Sequence, residues 1–531
     1  MDRIEFSSTD PANRDDDLRP FLDRVGGARV VGLGDPTTGS REALRLKHRL
    51  VALLARELDF SAVVLEANLA DVIRVNEYAL EGRGDPPVLL RRHLPRRLRT
   101  REMADLVTWM WDYNMLTSTR GRIALAGCDM QRIETAAEIV VETVRGLDPG
   151  FASTVEKKYE VVLEANRARW LSGAGIQAWF PVEEARGRRI RFSGHIRTEA
   201  VSDHACIWCW AGGPDGTLAH DALVGRRPRG TSAWREYAID LDVPEEATHL
   251  GLGCFLAGRG RAWFDGLAVT LDGETWQDPS RIDLGLASDA LTGFWVDPRT
   301  RAVPDGEVRR SDRPALRVES SGAIPSCETS HLEAHALAEQ VLSDLMSRWS
   351  ASQAGRALRC ALSVVQALEM RTGGGDASRA RSMAENIEWL LARNPEARVV
   401  YWAGNDAVAR GGMDTGGFLA KNLGGNYVPV GFATGSGAVL APSPRWREVP
   451  VSRPLAVPPE GSAEDGLAGS GGPPAILDLR TLDARDPDWG WLTNRRPFRT
   501  TDDPAAFTDR RLPDDFDLLV WQPETTAATP V

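Results

Sequence analysis

Short apolar runs alternate with longer helical patterns in the first third of the chain. The runs ARVVGLG (28–34), SAVVLEAN (61–68) and GRIALAGCDM (121–130) have the length and continuous apolar character of buried strands. Ser40 can cap the helix that follows the first run, since apolar residues recur at helical spacing over 44–58. This alternation predicts an α/β domain with a largely parallel sheet.

The pattern changes between residues 176 and 322. RRIRFSGHIRTE, HACIWCWAG and WREYAIDLDVP are short, aromatic and partly alternating, as in a β-sandwich. Tryptophans are frequent here and fit the core of such a sandwich, with stacking on sugar rings as the alternative. After residue 323 the α/β pattern returns in the helix SRARSMAENIEWLLARN and the strand ARVVYWAGND. We therefore predict an α/β domain (1–175 and 323–531) interrupted by an inserted, jelly-roll-like β-sandwich domain (176–322).

Charge and composition narrow the choice of partner. The net charge is −11, from 64 basic and 75 acidic residues, which disfavours nucleic acid or an anionic membrane. The start MDRIEFSSTDPANRDDD has no apolar signal segment, and no apolar run approaches the roughly 20 residues of a membrane span. Six scattered cysteines do not make a disulfide framework, so we expect a reduced protein of the cytoplasm.

Acidic side chains follow four of the predicted strands. Asp35, Glu66, Asp129 and Asp406 each stand at the end of an apolar run. Because ligands of open parallel sheets bind outside the carboxyl ends of the strands, these acids converge on one crevice if the strands are parallel. Two neighbouring carboxylates cannot both ionise easily, which provides a general acid and a general base near neutral pH. The alternative is that each acid caps a helix or pairs with an arginine.

Other candidate sites carry weaker signals. His331 and His335 are four residues apart but lack the glutamate of an H-E-x-x-H motif, and the cysteines of Cys206-x-x-Cys209 point to opposite faces of a strand. We therefore expect neither a metal nor another cofactor. The arginine-rich segment RRHLPRRLRTRE (91–102) is either a solvated face or a site for a carboxylate or phosphate, for example on a carrier-bound substrate.

Several motifs, in order through both halves, resemble the erythromycin-esterase-like family of α/β hydrolytic proteins. VVGLGDPTTGSREALRLKHRL is similar to the family's G-E-x-T-H-G loop and following helix, and VVLEAN to its second strand. GCDMQ, SMAENIEWLL and VVYWAGNDAVARGG resemble its later units. The resemblance leaves out the predicted sandwich. It implies the family's fold and a first-loop histidine that activates water to open an ester or macrolactone.

The sequence departs from this family pattern at the histidines. Thr38 stands where the first-loop histidine is expected, and Asp35 stands at the loop glutamate. In the later W-A-H-N-x-H-V motif, Gly404 and Ala407 replace both histidines, whereas Glu66 matches the second-strand glutamate. An alcohol is almost never ionised near pH 7, so Thr38 cannot replace a histidine base and is better suited to helping cap the next helix.

We therefore expect a repurposed member of the family that acts on a bulky small molecule of natural-product metabolism, such as a polyketide. Asp35 and Glu66 would be acid and base in a cyclisation, elimination or isomerisation rather than a histidine-based hydrolysis. The candidate substrate-binding residues are Thr38, Lys47, Arg74, Asp129, Glu385, Asn405 and Asp406. An ester or macrolactone hydrolase with a carboxylate base and a non-catalytic metabolite-binding protein are the alternatives. The expected partner is a small molecule, free or carrier-bound, with no nucleic acid and no membrane; the sequence leaves the oligomeric state open.

Overall fold

The computed structural model describes most of the chain, in two compact units. The described residues are 1–37, 39–118, 121–168, 174–180, 182–213, 216–223, 226–245, 247–276, 295–296, 301–321, 325–370, 375–441, 450–499 and 506–531. The first unit consists of Met1–Glu160, His335–Pro442 and Pro450–Val531, and the second is built on Val161–Ala334. Among the described helices, none is both long enough and apolar enough to cross a membrane.

The chain up to the second unit alternates strands and helices, as predicted. In chain order the elements are β1 (Arg3–Glu5), α1 (Arg19–Val25), β2 (Val30–Leu33), α2 (Arg41–Leu58), β3 (Ala62–Asn68), α3 (Leu69–Glu81), α4 (Pro86–His93), α5 (Arg101–Leu116), β4 (Ala124–Asp129), α6 (Glu134–Leu147) and α7 (Pro149–Ala168). Ser40 is the N-cap of α2, and its hydroxyl accepts a hydrogen bond from the Ala43 backbone N–H. This bond satisfies one of the free N–H groups of the first turn.

Strands dominate the second unit. They are β5 (Ala174–Phe180), β6 (Arg189–Val201), β7 (His204–Gly213), β8 (Gly216–Asp221), β9 (Gly230–Asp242), β10 (His249–Ala257), β11 (Arg259–Leu271), β12 (Glu274–Thr275), β13 (Trp295–Val296), β14 (Arg301–Asp305) and β15 (Ala315–Ser321). They form antiparallel sheets of order β13-β5-β10-β7-β8 and β14-β15-β11-β6-β9, with β12 paired to β11. Apolar side chains of both sheets share one core.

The domain boundaries at residues 176 and 322, and the jelly-roll-like insertion between them, stay a prediction. Residues 169–173 and 322–324 lie outside the described part of the chain. Within the second unit Cys206 and Cys209 are both buried in β7, where burial raises the pKa of each thiol. Both therefore remain protonated packing groups at neutral pH.

The chain after the second unit returns to the α/β pattern. Its elements are α8 (Pro325–Arg348), α9 (Ala351–Glu369), α10 (Gly375–Arg393), β16 (Val399–Trp402), α11 (Asn405–Val408), α12 (Thr415–Leu423), β17 (Tyr427–Ala441), β18 (Val451–Pro454), α13 (Ala463–Gly469), β19 (Ala475–Asp478), β20 (Arg496–Arg499), β21 (Phe507–Arg510), α14 (Leu512–Asp515) and β22 (Leu518–Thr525). Strands β20 and β21 pair with each other.

One nine-stranded sheet unites both parts of the first unit. Its order is β1-β19-β22-β17-β2-β16-β3-β4, with β18 paired to β17. The six strands from β22 to β4 are parallel, and β1 and β19 are antiparallel to their neighbours. The predicted α/β fold with a largely parallel sheet is therefore confirmed. Because β16 lies between β2 and β3, the carboxyl ends of strands from both parts of the chain meet at one edge.

Candidate active site

A cavity of about 370 Å³ opens in the first unit, beside the carboxyl ends of β2, β3 and β16. Its walls come from residues that are far apart in the sequence. They are Asp35, Glu66, Arg97, Leu98, Arg379, Ala380, Met383, Trp402, Ala403, Gly404, Asp406, Ala407, Asp414 and Thr415. Three of the four acids that end predicted strands thus line one crevice, as parallel strand ends require. The fourth, Asp129, reaches the cavity through an arginine.

Asp35 lies at the wall of this cavity, two residues after β2 ends. Its carboxylate pairs with the ammonium group of Lys47 on α2, with 2.6 Å between Oδ1 and Nζ. The Lys47 side chain is fully buried, whereas the Asp35 side chain keeps 12% of its exposure. The Lys47 ammonium also lies 4.6 Å from the centre of the Trp402 ring and 5.5 Å from that of Phe432. Lys47 therefore supports Asp35 from behind and is not itself part of the cavity wall.

Burial changes the proton affinity of both members of this pair. It lowers the pKa of Lys47 to about 8, against the raising effect of the Asp35 carboxylate. Burial also raises the pKa of Asp35, against the lowering effect of the Lys47 charge, and Glu66 adds a smaller raising effect. The expected cause, repulsion between neighbouring carboxylates, is therefore secondary to desolvation. A carboxyl group with a raised pKa at a cavity wall is suited to exchanging protons near neutral pH.

The turn that carries Asp35 is fixed from both sides. The Asp35 backbone C=O accepts a hydrogen bond from the Asn405 N–H, 3.1 Å away. Gly39 has a φ of +86°, and a Cβ there would lie 2.2 Å from the Leu440 carbonyl oxygen. Only glycine fits this left-handed conformation and this close approach to β17. The turn is thereby held to its neighbours at both ends.

Glu66 and Asp129 share one arginine. Arg379, on α10, donates to both Asp129 carboxylate oxygens, with Nη2 2.8 Å from Oδ2 and Nε 3.2 Å from Oδ1. The same Nη2 lies 3.3 Å from Glu66 Oε1. These two carboxylates raise the pKa of the Arg379 guanidinium against its burial. Arg379 is thus held as a permanent cation in the cavity wall, and the strand ends of β3 and β4 are linked to α10.

A second arginine approaches Glu66 from the other side. Arg97 donates from Nη2 to the Glu66 backbone carbonyl at 2.5 Å, and the same nitrogen lies 3.6 Å from Glu66 Oε2. Arg97 is 37% exposed and belongs to the arginine-rich segment 91–102. One of its six arginines therefore reaches the crevice.

Two aspartates complete the polar wall. Asp406 forms a short ion pair with Arg510, which also binds Asp515 with 3.2 Å between Nη1 and Oδ2. Asp414 lines the cavity just before α12, and its pKa is raised by burial first and by the Asp406 charge second. Asp414 is not among the site residues that the sequence predicts. An aspartate directly before a helix is commonly an N-cap, so its position alone does not indicate a site, although its side chain makes no capping hydrogen bond.

Several predicted site residues lie elsewhere. Asn405 is 1% exposed, and its side-chain amide both donates to and accepts from the Phe432 backbone, at 2.7 and 3.0 Å, behind the cavity wall. Arg74 pairs with Glu142 at 2.8 Å in a separate surface cleft. Glu385 is exposed on α10, where Gln366 donates to it. Thr38 lies outside the described residues.

The histidine next to Lys47 is a packed residue. His48 is 5% exposed and lies against Trp109, with 5.4 Å between ring centres. Burial lowers the pKa of His48 to about 4, so the imidazole is neutral at pH 7. No histidine is present among the described residues that line the cavity. Among all the residues that the structure describes, no group of three or more histidine, cysteine or acidic side chains is arranged to hold a metal ion.

This geometry supplies two kinds of chemistry. Asp35 and Asp414 are carboxyl groups with raised pKa, which can accept or return a proton. Arg97 and Arg379 are cations that can stabilise an oxygen on which negative charge develops. Glu66 holds both guanidinium groups in place. The site is therefore equipped for proton transfer beside a polarised oxygen.

Comparison with solved structures supports the fold. A crystal structure of a protein from Bacillus cereus has a TM-score of 0.60 at 17% identity, covering 100% of this chain and 96% of that one. A succinoglycan biosynthesis protein has a TM-score of 0.60 at 16% identity, covering 100% of this chain and 96% of that one. A mutant of the erythromycin esterase EreC in its open conformation has a TM-score of 0.56 at 13% identity, covering 99% of each chain.

Comparisons of sequence give the family. An uncharacterized HTH-type transcriptional regulator of Bacillus subtilis, YbfP, is 36% identical over 93 residues, which are 17% of this chain and 32% of that protein. Erythromycin esterase type II of Escherichia coli is 26% identical over 129 residues, 24% of this chain and 30% of that protein. The chain thus spans about a third of the length of these relatives. The erythromycin esterase family model matches residues 55–180 and 314–525, on either side of most of the antiparallel strands, and the chain belongs to the erythromycin esterase family.

Proposed function

We propose that this member of the family is an enzyme that moves protons within a small molecule of natural-product metabolism, such as a polyketide. The observation that carries the proposal is the Asp35 carboxyl group at the cavity wall, paired with the buried Lys47. A cavity of about 370 Å³ is near the lower end of the usual range for ligand sites. It accommodates a small molecule or the reacting end of a bulky one.

The proposed step uses one carboxylate and returns its proton. Asp35 takes a proton from the substrate, and the electron pair left behind moves onto an oxygen that faces Arg97 or Arg379. Asp35 then gives the proton back at another position, which is an isomerisation or accompanies ring closure, or to a departing hydroxyl, which is an elimination. Lys47 favours the charged form of Asp35, which is the base before the first transfer and is restored after the second. In this step Glu66 positions both guanidinium groups and Asp129 positions that of Arg379, while the role of Glu66 as a second acid or base stays a prediction.

A second candidate is ester or macrolactone hydrolysis with Asp35 as the base for water. Membership of the erythromycin esterase family favours it. Against it stand Thr38, Gly404 and Ala407 at the positions where the family resemblance implies histidines. A carboxylate base can activate water, but general-base catalysis is most efficient when the pKa of the base lies near the working pH. The raised pKa of Asp35 therefore suits both proton transfer and hydrolysis, and the two reactions are distinguished by identifying their products.

Exchange with solvent deuterium tests the proposal. The protein is incubated in D2O with a panel of β-keto lactones and aryl esters, and mass spectrometry follows deuterium uptake at carbon and the gain of one water by hydrolysis. We expect enzyme-dependent deuterium uptake without hydrolysis, lowered by about 10² or more in Asp35→Asn. Glu396→Gln, at an exposed carboxylate outside the cavity, serves as the control and should match the parent. Hydrolysis alone would favour the second candidate, and neither reaction would leave metabolite binding as the function.

A further inference from the structure

A second cavity lies wholly within the second unit, along the edge strand β9. This groove measures about 1040 Å³, and five arginines and two acids are among its lining residues. The arginines are Arg191, Arg226, Arg227, Arg229 and Arg235, and the acids are Glu236 and Asp240. A local excess of positive charge in a chain of net charge −11 needs a separate explanation, because the proposed proton transfer makes no use of this groove.

Arg227 is held in position by a chain of hydrogen bonds. Its Nη1 lies 2.9 Å from His204 Nε2, and its Nε donates to the Ala222 carbonyl at 2.7 Å. His204 is buried, and its Nδ1 lies 2.8 Å from Asp203 Oδ1. With Nδ1 protonated and donating to Asp203, Nε2 is free to accept from the arginine. Among the described residues, these bonds occupy Nε and Nη1 of Arg227 and none occupies Nη2, so a fixed N–H donor remains there for an anion.

Arg235 and two aromatic rings form the next part of the groove. Arg235 is exposed, and its guanidinium carbon lies 6.0 Å from the centre of the Tyr237 ring. Trp234, beside it on β9, is only partly buried, whereas Trp263 and Trp276 belong to the buried residues of the unit. The sequence favours a core position for the tryptophans of this unit, with stacking on sugar rings as the alternative. Trp234 departs from that pattern because it lines the groove instead.

Three of the five arginines of the groove form ion pairs with aspartates. Arg191 pairs with Asp240 at 2.8 Å, Arg226 with Asp221 at 3.4 Å and Arg229 with Asp203 at 3.9 Å. Among the described residues, Arg227 and Arg235 are outside these ion pairs, and the Glu236 carboxylate offsets one of their two positive charges. A nucleic acid presents a negative charge about every 3.4 Å along each strand, which two cations cannot match. A glycan with occasional carboxylates carries fewer charges, and its sugar rings offer flat faces to aromatic side chains.

We propose that this groove binds a carboxylate-bearing glycan chain. The guanidinium groups of Arg227 and Arg235 hold carboxylates, and the rings of Trp234 and Tyr237 provide the surface on which sugar rings rest. Binding at this groove is separate from the reaction in the first unit. It gives the chain a second ligand whose recognition depends on both charge and ring contacts.

Titration calorimetry of the full-length protein with oligogalacturonate tests this assignment. We expect saturable binding of oligogalacturonate and none of neutral malto-oligosaccharides of equal length. Arg235→Gln and Trp234→Ala should each weaken binding by about tenfold or more. Arg309→Gln, at an exposed arginine of the same unit outside the groove, is the matched control and should bind like the parent. Circular dichroism verifies that each variant is folded.

Three outcomes would overturn the proposal. The first is no binding of oligogalacturonate, and the second is binding that Arg235→Gln leaves unchanged. The third is tighter binding of oligothymidylate than of the glycan, with the steep salt dependence of phosphate contacts, which would make the groove a nucleic-acid site. Should Trp234→Ala fail to fold, Arg235→Gln on the exposed surface decides the matter alone.

Discussion

At the scale of single residues, the pair of Asp35 and Lys47 determines what the cavity can do. A fully buried ammonium is costly unless a carboxylate compensates it, and breaking such a pair costs more than replacing both members. The pair therefore constrains the protein twice. It fixes the carboxylate at the wall of the cavity, and it makes each partner necessary for the other's burial.

Lys47→Met should lower the free energy of unfolding by about 3 kcal/mol, because Asp35 loses its counter-charge. The double variant Asp35→Asn with Lys47→Met should recover most of that loss. In Lys47→Met the folded-state pKa of Asp35 rises further above its unfolded value, so protonation of Asp35 stabilises the folded state of this variant. The difference in free energy of unfolding between Lys47→Met and the parent should therefore become smaller as the pH falls from 7 to 5. Denaturant unfolding of the three proteins at both pH values measures this. Additive single and double effects would show that the two side chains are not coupled.

His48 gives a second pH effect, of opposite sign. Its folded-state pKa of about 4 lies below the unfolded value of about 6.5, so the stability due to neutral His48 is complete above pH 6.5 and is lost as the pH falls toward 4. Between pH 7 and pH 4, the free energy of unfolding of His48→Phe should fall by about 3 kcal/mol less than that of the parent protein. Urea unfolding of His48→Phe and the parent protein at pH 7 and pH 4 measures this difference. Equal acid sensitivity in His48→Phe and parent would contradict the assignment.

At the scale of elements, Asn405 joins the ends of two parallel strands. Its side-chain amide replaces a pair of ladder bonds to Phe432 in β17, and its backbone N–H binds Asp35 after β2. A residue predicted to contact substrate thus supports the wall behind the site. Sequence cannot distinguish these two roles, because both require a polar side chain at a strand end.

Asn405→Ala should therefore lower stability by about 1–3 kcal/mol, since it leaves buried backbone groups of Phe432 without partners. The proposed activity should fall as well, because the turn of Asp35 is no longer anchored. Asn422→Ala, which removes an exposed hydrogen bond to Glu388, should change stability by less than about 0.5 kcal/mol. Urea unfolding of both variants checks this, and equal stability of Asn405→Ala and parent would rule out the anchoring role.

Elements with a clear hydrophobic period were predictable. The runs 28–34, 61–68 and 121–130 contain β2, β3 and β4, because apolar residues buried on both faces give an unmistakable pattern. The proline- and glycine-rich composition of residues 442–474 predicts a long loop, either a lid of the site or a disordered segment. Where it is described, it contains β18 and α13, and α13 begins with Ser462 accepting from the Asp465 N–H. Capping chemistry in S-A-E-D was the available signal for that helix.

At the scale of the whole molecule, the site is assembled from distant parts of the chain. Arg379 meets Glu66 across 313 positions of sequence, because β16 lies between β2 and β3 in the sheet. The convergence of strand-end acids could be predicted from the parallel sheet. The arginine that links two of them could not, since Arg379 lies in a helix whose face toward the sheet only the tertiary fold defines.

The whole-molecule prediction concerns the family's own reaction. We expect no enzyme-like opening of erythromycin, because general-base catalysis contributes about 10²–10⁴-fold and the positions of the implied histidines carry Thr38, Gly404 and Ala407. Liquid chromatography with mass detection of the ring-opened product measures it. The Thr38→His variant is compared with the unaltered protein in the same assay. Faster hydrolysis by the variant would show that an ester bound in the cavity lies within reach of this loop. Turnover of erythromycin by the unaltered protein that Asp35→Asn abolishes would instead establish hydrolysis with a carboxylate base.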